Sequence, residues 1–132
     1  MSMYRWVDHT AEVELEIEAA SEREVLEEAL RALAELLGVG ETHGDERRSV
    51  TVAASDRPAL LATWIEELAF LAESEGFVAT SLNDLHLHAG GLDAAVSGVL
   101  DEPPPLVKAV TYHRLEFASR GDGYVARVIL DV

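Results

Sequence analysis

The sequence contains no cysteine, and this absence excludes several kinds of chemistry. Disulfides, thiolate zinc sites and cysteine nucleophiles are ruled out, which leaves carboxylate, imidazole, hydroxyl and ammonium groups. Long apolar segments are also lacking. Without a run of about eighteen apolar residues or a charged-then-apolar leader, neither a membrane span nor a secretory signal is predicted. We therefore expect a cytoplasmic protein.

Positive charge is scarce in this chain. Its 25 acidic residues outnumber its 10 basic ones, and the formal net charge is −15. A field of this sign repels the phosphate backbone that dominates nucleic-acid affinity, so we expect no direct binding to nucleic acid. The same field would attract a divalent cation or a partner protein with a basic surface. The simpler alternative is that the acidic residues only keep the protein soluble.

The period of the hydrophobic pattern switches between two residues and about three and a half, which is typical of an α+β fold. A chain of 132 residues fits a single domain, spanning residues 1–132, with a core of its own. We predict two helices packed on mixed or antiparallel β-sheet structure, closed by a C-terminal β-hairpin. No internal repeat or low-complexity segment is visible.

Capping residues mark the two helices. Ser21 and Glu24 form a capping box before an apolar stripe that ends at Gly38. Asp56 is the predicted cap of a second helix, which ends at Gly76. These signals are local, and each one sets a helix boundary.

Alternating apolar and polar residues predict the strands. In the strand Ala11–Ala19, the glutamates at positions 14, 16 and 18 are expected to be solvated on its wet face. The other predicted strand segments are Ser49–Ala53, a hairpin that turns at Gly90-Gly91, and a final hairpin from Val107 to Asp131 that turns at Arg120–Gly123.

Lys108 is the only lysine, beside nine arginines. Because the two side chains are not interchangeable, a lone lysine indicates either a need for a compact ammonium or a chance surface charge. Alternation along the strand predicts that Lys108, Val110 and Glu116 share the more polar face. The prolines at 103–105 are expected to stiffen the approach to Lys108.

Three separated motifs resemble those of the archease family. They are Asp8-His9-Thr10-Ala11-Glu12 near the start, Val107-Lys108-Ala109-Val110-Thr111-Tyr112-His113 near the end, and Asp131 followed by the apolar Val132. The order and spacing of the elements between them agree, so the likeness covers nearly the whole chain. The resemblance implies a protein cofactor rather than an enzyme. Archeases act on the GTP-dependent RNA-splicing ligase, promoting its guanylylation and repeated turnover in tRNA splicing and RNA repair.

The resemblance also implies a metal site. The metal ligands of the family match Glu12, Asp131 and the terminal residue Val132, whose α-carboxylate would take part. Such oxygen ligands suit a divalent cation, with Ca²⁺ favoured. The family usually has Asp at the position of Glu12, and the extra methylene moves the carboxylate by about 1.5 Å, which is expected to weaken the site. Asp8 is either a compensating ligand or a simple strand-end carboxylate.

Two other residues of the motifs have open roles. The resemblance marks Lys108 as functionally important. Its ammonium either meets a phosphate of a nucleotide shared with the ligase or pairs with Asp131 and Glu12 when no metal is bound. His9 either orients its acidic neighbours or caps the first strand through a hydrogen bond.

Rival functions stay open from sequence alone. A small metal-dependent phosphoesterase would use the same carboxylates to hold a cation that activates water. Against it, no Ser-His-Asp arrangement, glycine-rich phosphate loop or HExxH element is seen, and His9 alone is thin support for a base. A plain calcium-binding scaffold would bind metal without affecting ligation. His86 and His88 share a strand face and could ligate zinc or nickel, although exposed histidines are the simpler interpretation.

Overall fold

The computed structural model describes residues 2–103 and 106–132. Two of the prolines expected to stiffen the approach to Lys108, at positions 104 and 105, lie outside these ranges. The elements in chain order are β1 (Met3–His9), β2 (Glu12–Ala19), α1 (Glu22–Leu36), β3 (Glu46–Ala53), α2 (Arg57–Glu75), β4 (Phe77–His88), β5 (Gly91–Leu100), β6 (Ala109–Arg120) and β7 (Gly123–Asp131). The α+β class and the C-terminal hairpin are confirmed.

Both helices begin at the predicted caps. The Ser21 hydroxyl accepts a hydrogen bond from the Glu24 backbone N–H at 3.2 Å. The Asp56 carboxylate accepts one from the Ala59 N–H at 2.8 Å. Gly76 ends α2 in the left-handed conformation, with φ 67°, which glycine adopts without a steric penalty. Neither helix, within the part of the chain described, combines the length and the apolar character needed to cross a membrane.

The strands form two antiparallel sheets. One has four strands in the order β1-β2-β7-β6, and the other has three in the order β3-β5-β4. The helices pack between them, and side chains from both sheets and both helices form one apolar core. Trp64 of α2 is fully buried there, and its indole N–H donates to the backbone carbonyl of Leu26 in α1 at 2.9 Å.

The four-stranded sheet has two distinct faces. Its inner face carries residues such as Leu15 and Leu130, which are buried in the core. Because side chains alternate along a strand, Glu12, Glu14 and Asp131 project from the opposite side. We call this side the outer face.

Two features of the strands depart from the sequence prediction. The first strand, β1, has no counterpart in that prediction, because its mixed pattern around Tyr4 and Trp6 does not alternate cleanly. Strand β4 begins at Phe77, ahead of the predicted hairpin. Register shifts between Ala79 and Ser81, and again further on, interrupt its alternation, so its first half does not read as a strand.

A larger irregularity lies in β6. The strand advances from Thr111 to Glu116 while its partner β7 advances only from Ile129 to Arg127. We call residues 112–115, which stand opposite the single β7 residue Val128 and so include three extra residues, the β6 bulge. The prediction that Glu116 shares a face with Lys108 and Val110 is therefore wrong. Val110 pairs with Leu130 of the inner face, whereas Glu116 pairs with Arg127 of the outer face.

Candidate functional site

Glu12 and Asp131 lie directly opposite each other on neighbouring strands. The β2–β7 ladder pairs them, one position beyond the core pair of Val13 and Leu130. Directly opposed residues project to the same side, with Cβ atoms roughly 4.5–5.5 Å apart. Both carboxylates therefore extend from one end of the outer face. Both residues are only partly exposed, so they are held by the sheet rather than on a free loop.

Val132 adjoins this carboxylate pair. Its backbone N–H donates to the carbonyl of Ala11 at 3.4 Å, and its side chain packs against the core. Ala11 belongs to the two-residue turn that joins β1 to β2, where His9 pairs with Glu12. It has φ 61°, a conformation that costs an L-residue about 1–2 kcal/mol. Val132 is thus hydrogen-bonded to a strained turn that directly precedes Glu12.

Lys108 lies at the same end of the sheet. Its backbone N–H donates to the carbonyl of Asp131 at 2.8 Å, and the next residue, Ala109, pairs with Asp131 in the β6–β7 ladder. The Lys108 side chain is exposed. Within the described residues, no ion pair joins its ammonium to Glu12 or Asp131. The structure therefore brings Lys108 next to Asp131 through a backbone contact.

His9 and Asp8 lie on different sides of β1. His9 pairs with Glu12, so its ring lies on the outer face, and its Nε2 atom is 3.5 Å from Glu14 Oε1. Asp8 pairs with Val13, whose side chain packs on the inner face, and it is exposed at the edge strand. The alternation therefore separates the Asp8 side chain from the outer-face pair of Glu12 and Asp131.

Glu14 is buried, contrary to the prediction that it is solvated. Only 4 % of the residue is exposed. Its Oε1 atom accepts a hydrogen bond from Arg114 Nη1 at 3.3 Å, and its Oε2 atom lies 3.4 Å from Arg127 Nε. With His9, these residues form what we call the Glu14 cluster. The alternation in β2 treats its glutamates alike, so no local signal marks Glu14, and its partner Arg114 comes 100 residues later.

The neighbouring Glu16 shows how this face is balanced. Arg5 Nε donates to its carboxylate at 2.5 Å, and Arg127 Nη2 lies 3.9 Å away. The hydrogen bond from Arg5 holds the pKa of Glu16 below its usual range. Arginines thus neutralise the middle of the outer face. At the sheet end, Glu12 and Asp131 take part in no ion pair with any other described residue.

The donor set at the sheet end suits a hard cation. Glu12, Asp131 and an α-carboxylate at Val132 supply only oxygen atoms, which Ca²⁺ and Mg²⁺ prefer. In the chain as described, no group of three or more His, Asp or Glu side chains is arranged so that it could hold a metal ion. His86 and His88, which are exposed on β4 with ring centroids 5.7 Å apart, likewise have no third His, Asp or Glu ligand among the described residues. Glu12 and Asp131 therefore offer two side-chain ligands, and further oxygen ligands would have to come from the backbone, a carboxyl group or solvent.

Comparisons with known proteins agree with one another. Residues 4–132 match the family model of the Archease protein family. Proteins named archease from Methanosarcina barkeri and Methanosarcina acetivorans are 28% and 29% identical over 139 residues, covering 98% of this chain and 95% of each relative. A crystal structure reported as an archease and possible chaperone from Thermotoga maritima matches with a TM-score of 0.64 and 24% identity, covering 98% of both chains. This last likeness shows a shared fold.

Proposed function

The chain belongs to the archease family, and from this membership we propose that it is a metal-binding protein cofactor of the GTP-dependent RNA-splicing ligase. In this role it promotes guanylylation of the ligase and allows multiple turnover in tRNA splicing and RNA repair. The observation that carries the proposal is the pairing of Glu12 with Asp131 at the sheet end where Lys108 and Val132 also lie.

The proposed metal ligands are Glu12, Asp131 and the α-carboxylate of Val132. A bound divalent cation would offset two of the three negative charges and would accept a phosphate or carboxylate oxygen of the partner as a further ligand. Ca²⁺ is favoured over Mg²⁺, since it tolerates the flexible geometry that the longer Glu12 side chain imposes, whereas Mg²⁺ demands a near-ideal octahedron. The hydrogen bond from Val132 to Ala11 supports the proposal, because it limits fraying of the terminal residue.

Lys108 is the proposed activating group. Its side chain is exposed and its backbone is fixed by the hydrogen bond to Asp131. This arrangement favours the option in which its ammonium meets a phosphate of a nucleotide shared with the ligase. Pairing with Glu12 or Asp131 is the weaker option, because no such ion pair forms between these described residues.

The proposed partner surface is basic. A chain with a net charge of −15 is drawn toward positive surfaces. A ligase that grips RNA presents such a surface, so complementary charge would steer the two proteins together. The chain itself is proposed not to bind nucleic acid, because the same field repels phosphate backbones.

A role without catalysis is also part of the proposal. A phosphoesterase needs a base near the cation, and His9 is the closest imidazole to Glu12 in the ladder. The His9 ring, however, lies against the buried Glu14 at 3.5 Å. That contact supports a structural role for His9 rather than one as a base.

A guanylylation assay tests the proposal. The ligase is incubated with GTP and a divalent cation, and formation of the ligase–GMP adduct is followed with and without the chain. A rate increase of at least about tenfold, equivalent to about 1.4 kcal/mol, is expected. In a parallel tube the chain alone meets cyclic-phosphate RNA and generic phosphoesters. Hydrolysis there, without adduct stimulation, would favour the phosphoesterase. Calcium binding with neither activity would favour the scaffold.

A further inference from the structure

The outer face of the four-stranded sheet is buried at one place, around Glu14 and Ile129. These two residues pair across β2 and β7, and each is 4 % exposed. Ile129 is buried without belonging to the core between the helices and sheets. The β6 bulge departs from the ladder next to Ile129, between Thr111 and Glu116, and its Arg114 reaches Glu14. We infer that Glu14 is a positioning residue that fixes the β6 bulge and so fixes the backbone of Lys108 beside Asp131.

A buried carboxylate needs compensation. Removing a charged group from water costs several kcal/mol unless partners of opposite charge take over its hydration. Arg114, Arg127 and His9 surround Glu14 at 3.3 Å, 3.4 Å and 3.5 Å. They come from β6, β7 and β1, so the carboxylate of β2 joins all four strands of the sheet. Loss of the Glu14 charge leaves the guanidinium groups of Arg114 and Arg127 without their shared carboxylate, and this weakens the link between the strands.

The bulge is strained and therefore depends on this connection. Arg114 has φ 59°, which is unusual for a residue other than glycine. Such a conformation costs about 1–3 kcal/mol and persists only where surrounding contacts enforce it. The hydrogen bond from Arg114 Nη1 to Glu14 is one such contact, beside the packing of the neighbouring Leu115 against the core.

The strand end that carries Lys108 is held by the β6–β7 ladder and by the side chains of Val107 and Val110, which pack against the core. Ahead of the bulge, the β6–β7 ladder comprises only the pairs of Ala109, Val110 and Thr111 with residues 129–131. The bulge sets the register of these pairs. A slip by one residue would move each side chain to the other face, and Lys108 would leave its place beside Asp131. The β2–β7 ladder, which runs unbroken from Glu12 to Ala19, does not depend on the bulge.

The expected loss of ligase activation rests on the proposed function, whereas the effect of Glu14 on the bulge and on Lys108 does not. We therefore expect a separation of effects. Without the Glu14 charge, the cation site keeps its affinity, because Glu12 and Asp131 stay paired. The Lys108 end loosens, and activation of the ligase falls.

The test uses amide hydrogen exchange on the full chain, with Glu14→Gln as the variant and Glu18→Gln as the matched control. Glu18 is an exposed glutamate of the same face of the same strand. In Glu14→Gln, the Lys108 amide is expected to exchange at least about tenfold faster, while amides of the Phe117–Arg120 part of β6 change less than about twofold. Calcium affinity should stay within about twofold, and guanylylation should fall at least about fivefold. Glu18→Gln should match the parent in all three.

Arg114→Ala removes the same contact from the other side and keeps the strain of the positive φ. This second variant tests the positioning role of Glu14 if Glu14→Gln fails to fold. Faster Lys108 exchange in the folded variants supports positioning by Glu14, and parent-like protection of that amide overturns it. If the parent chain does not stimulate the ligase at all, the proposed function fails while the exchange result still decides the role of Glu14.

Discussion

Glu12 and Asp131 form a directly opposed pair at the end of the β2–β7 ladder, although they stand near opposite ends of the chain. The pairing of charges on the outer face changes along the sheet. Toward the middle of the sheet, Arg5, Arg114 and Arg127 pair with the glutamates of β2. At the end, the two carboxylates lack such partners in the described parts of the chain. Uncompensated, opposed carboxylates are the arrangement that a divalent cation stabilises.

Changes at Glu12 test the metal site in two directions. Glu12→Gln removes a charged ligand, so the dissociation constant for Ca²⁺ should rise at least about tenfold, which is about 1.4 kcal/mol. Glu12→Asp shortens the side chain to the length usual in the family and should tighten binding. Calorimetric titration of folded protein measures both, with Glu18→Gln as the control. Unchanged affinity in Glu12→Gln would remove Glu12 from the site.

A short extension tests the α-carboxylate. Two glycines added after Val132 move this charged group away from Asp131 while keeping the hydrogen bond from the Val132 N–H to Ala11. Calcium affinity should fall at least about tenfold, because one oxygen ligand is replaced by a neutral amide. The same extension ending in a C-terminal amide separates loss of position from loss of charge. Parent-like affinity in the extended chain would show that the terminus is not a ligand.

Replacement of Lys108 tests the activating group. Lys108→Ala removes an exposed side chain but keeps the backbone hydrogen bond to Asp131, so the free energy of unfolding should change by less than about 0.5 kcal/mol. Stimulation of ligase guanylylation should be abolished. Arg120→Ala is the matched control, since it removes an exposed cation from the far end of the same strand. A Lys108→Ala chain as active as its parent would reduce this residue to plain surface charge.

Tyr4 provides a pH-dependent test of the fold. Burial raises its pKa to about 12, and a hydrogen bond to Glu35 contributes in the same direction. Because the folded-state pKa lies above the ordinary value of 10.0, the folded state holds this proton more tightly. The resulting stability is complete below pH 10.0 and is lost as the pH rises through about 12.

Urea unfolding at several alkaline pH values measures this effect. The parent should lose unfolding free energy over that range, and Tyr4→Phe should show a flatter profile. Tyr112→Phe, at an exposed tyrosine, is the control and should follow the parent. Parallel profiles for all three proteins would mean that the Tyr4 hydroxyl is not shielded in the folded state.

Sequence reasoning succeeded where signals are local. The capping residues Ser21 and Asp56 and the terminator Gly76 define both helices, and each acts within one turn of chain. The approach of Asp131 to Glu12 was expected from the family resemblance, because alternation identifies the core face of each strand but not which strands are neighbours.

The misses depend on contacts between distant residues. The extra residues of the β6 bulge leave no mark in the alternation, yet they reverse the face on which Glu116 lies relative to Val110. Glu14 is indistinguishable from Glu18 by its neighbours in sequence. It is buried because Arg114 and Arg127 arrive from other strands, which only the folded chain reveals.

Counting ligation events per ligase molecule tests the central claim most directly. RNA ends are supplied in large excess over the ligase, with GTP and calcium present, and joined product is measured with and without the chain. We predict that the ligase alone stops after about one round and that the added chain lets it complete many, at least about ten. Equal product in both tubes would contradict the proposed function.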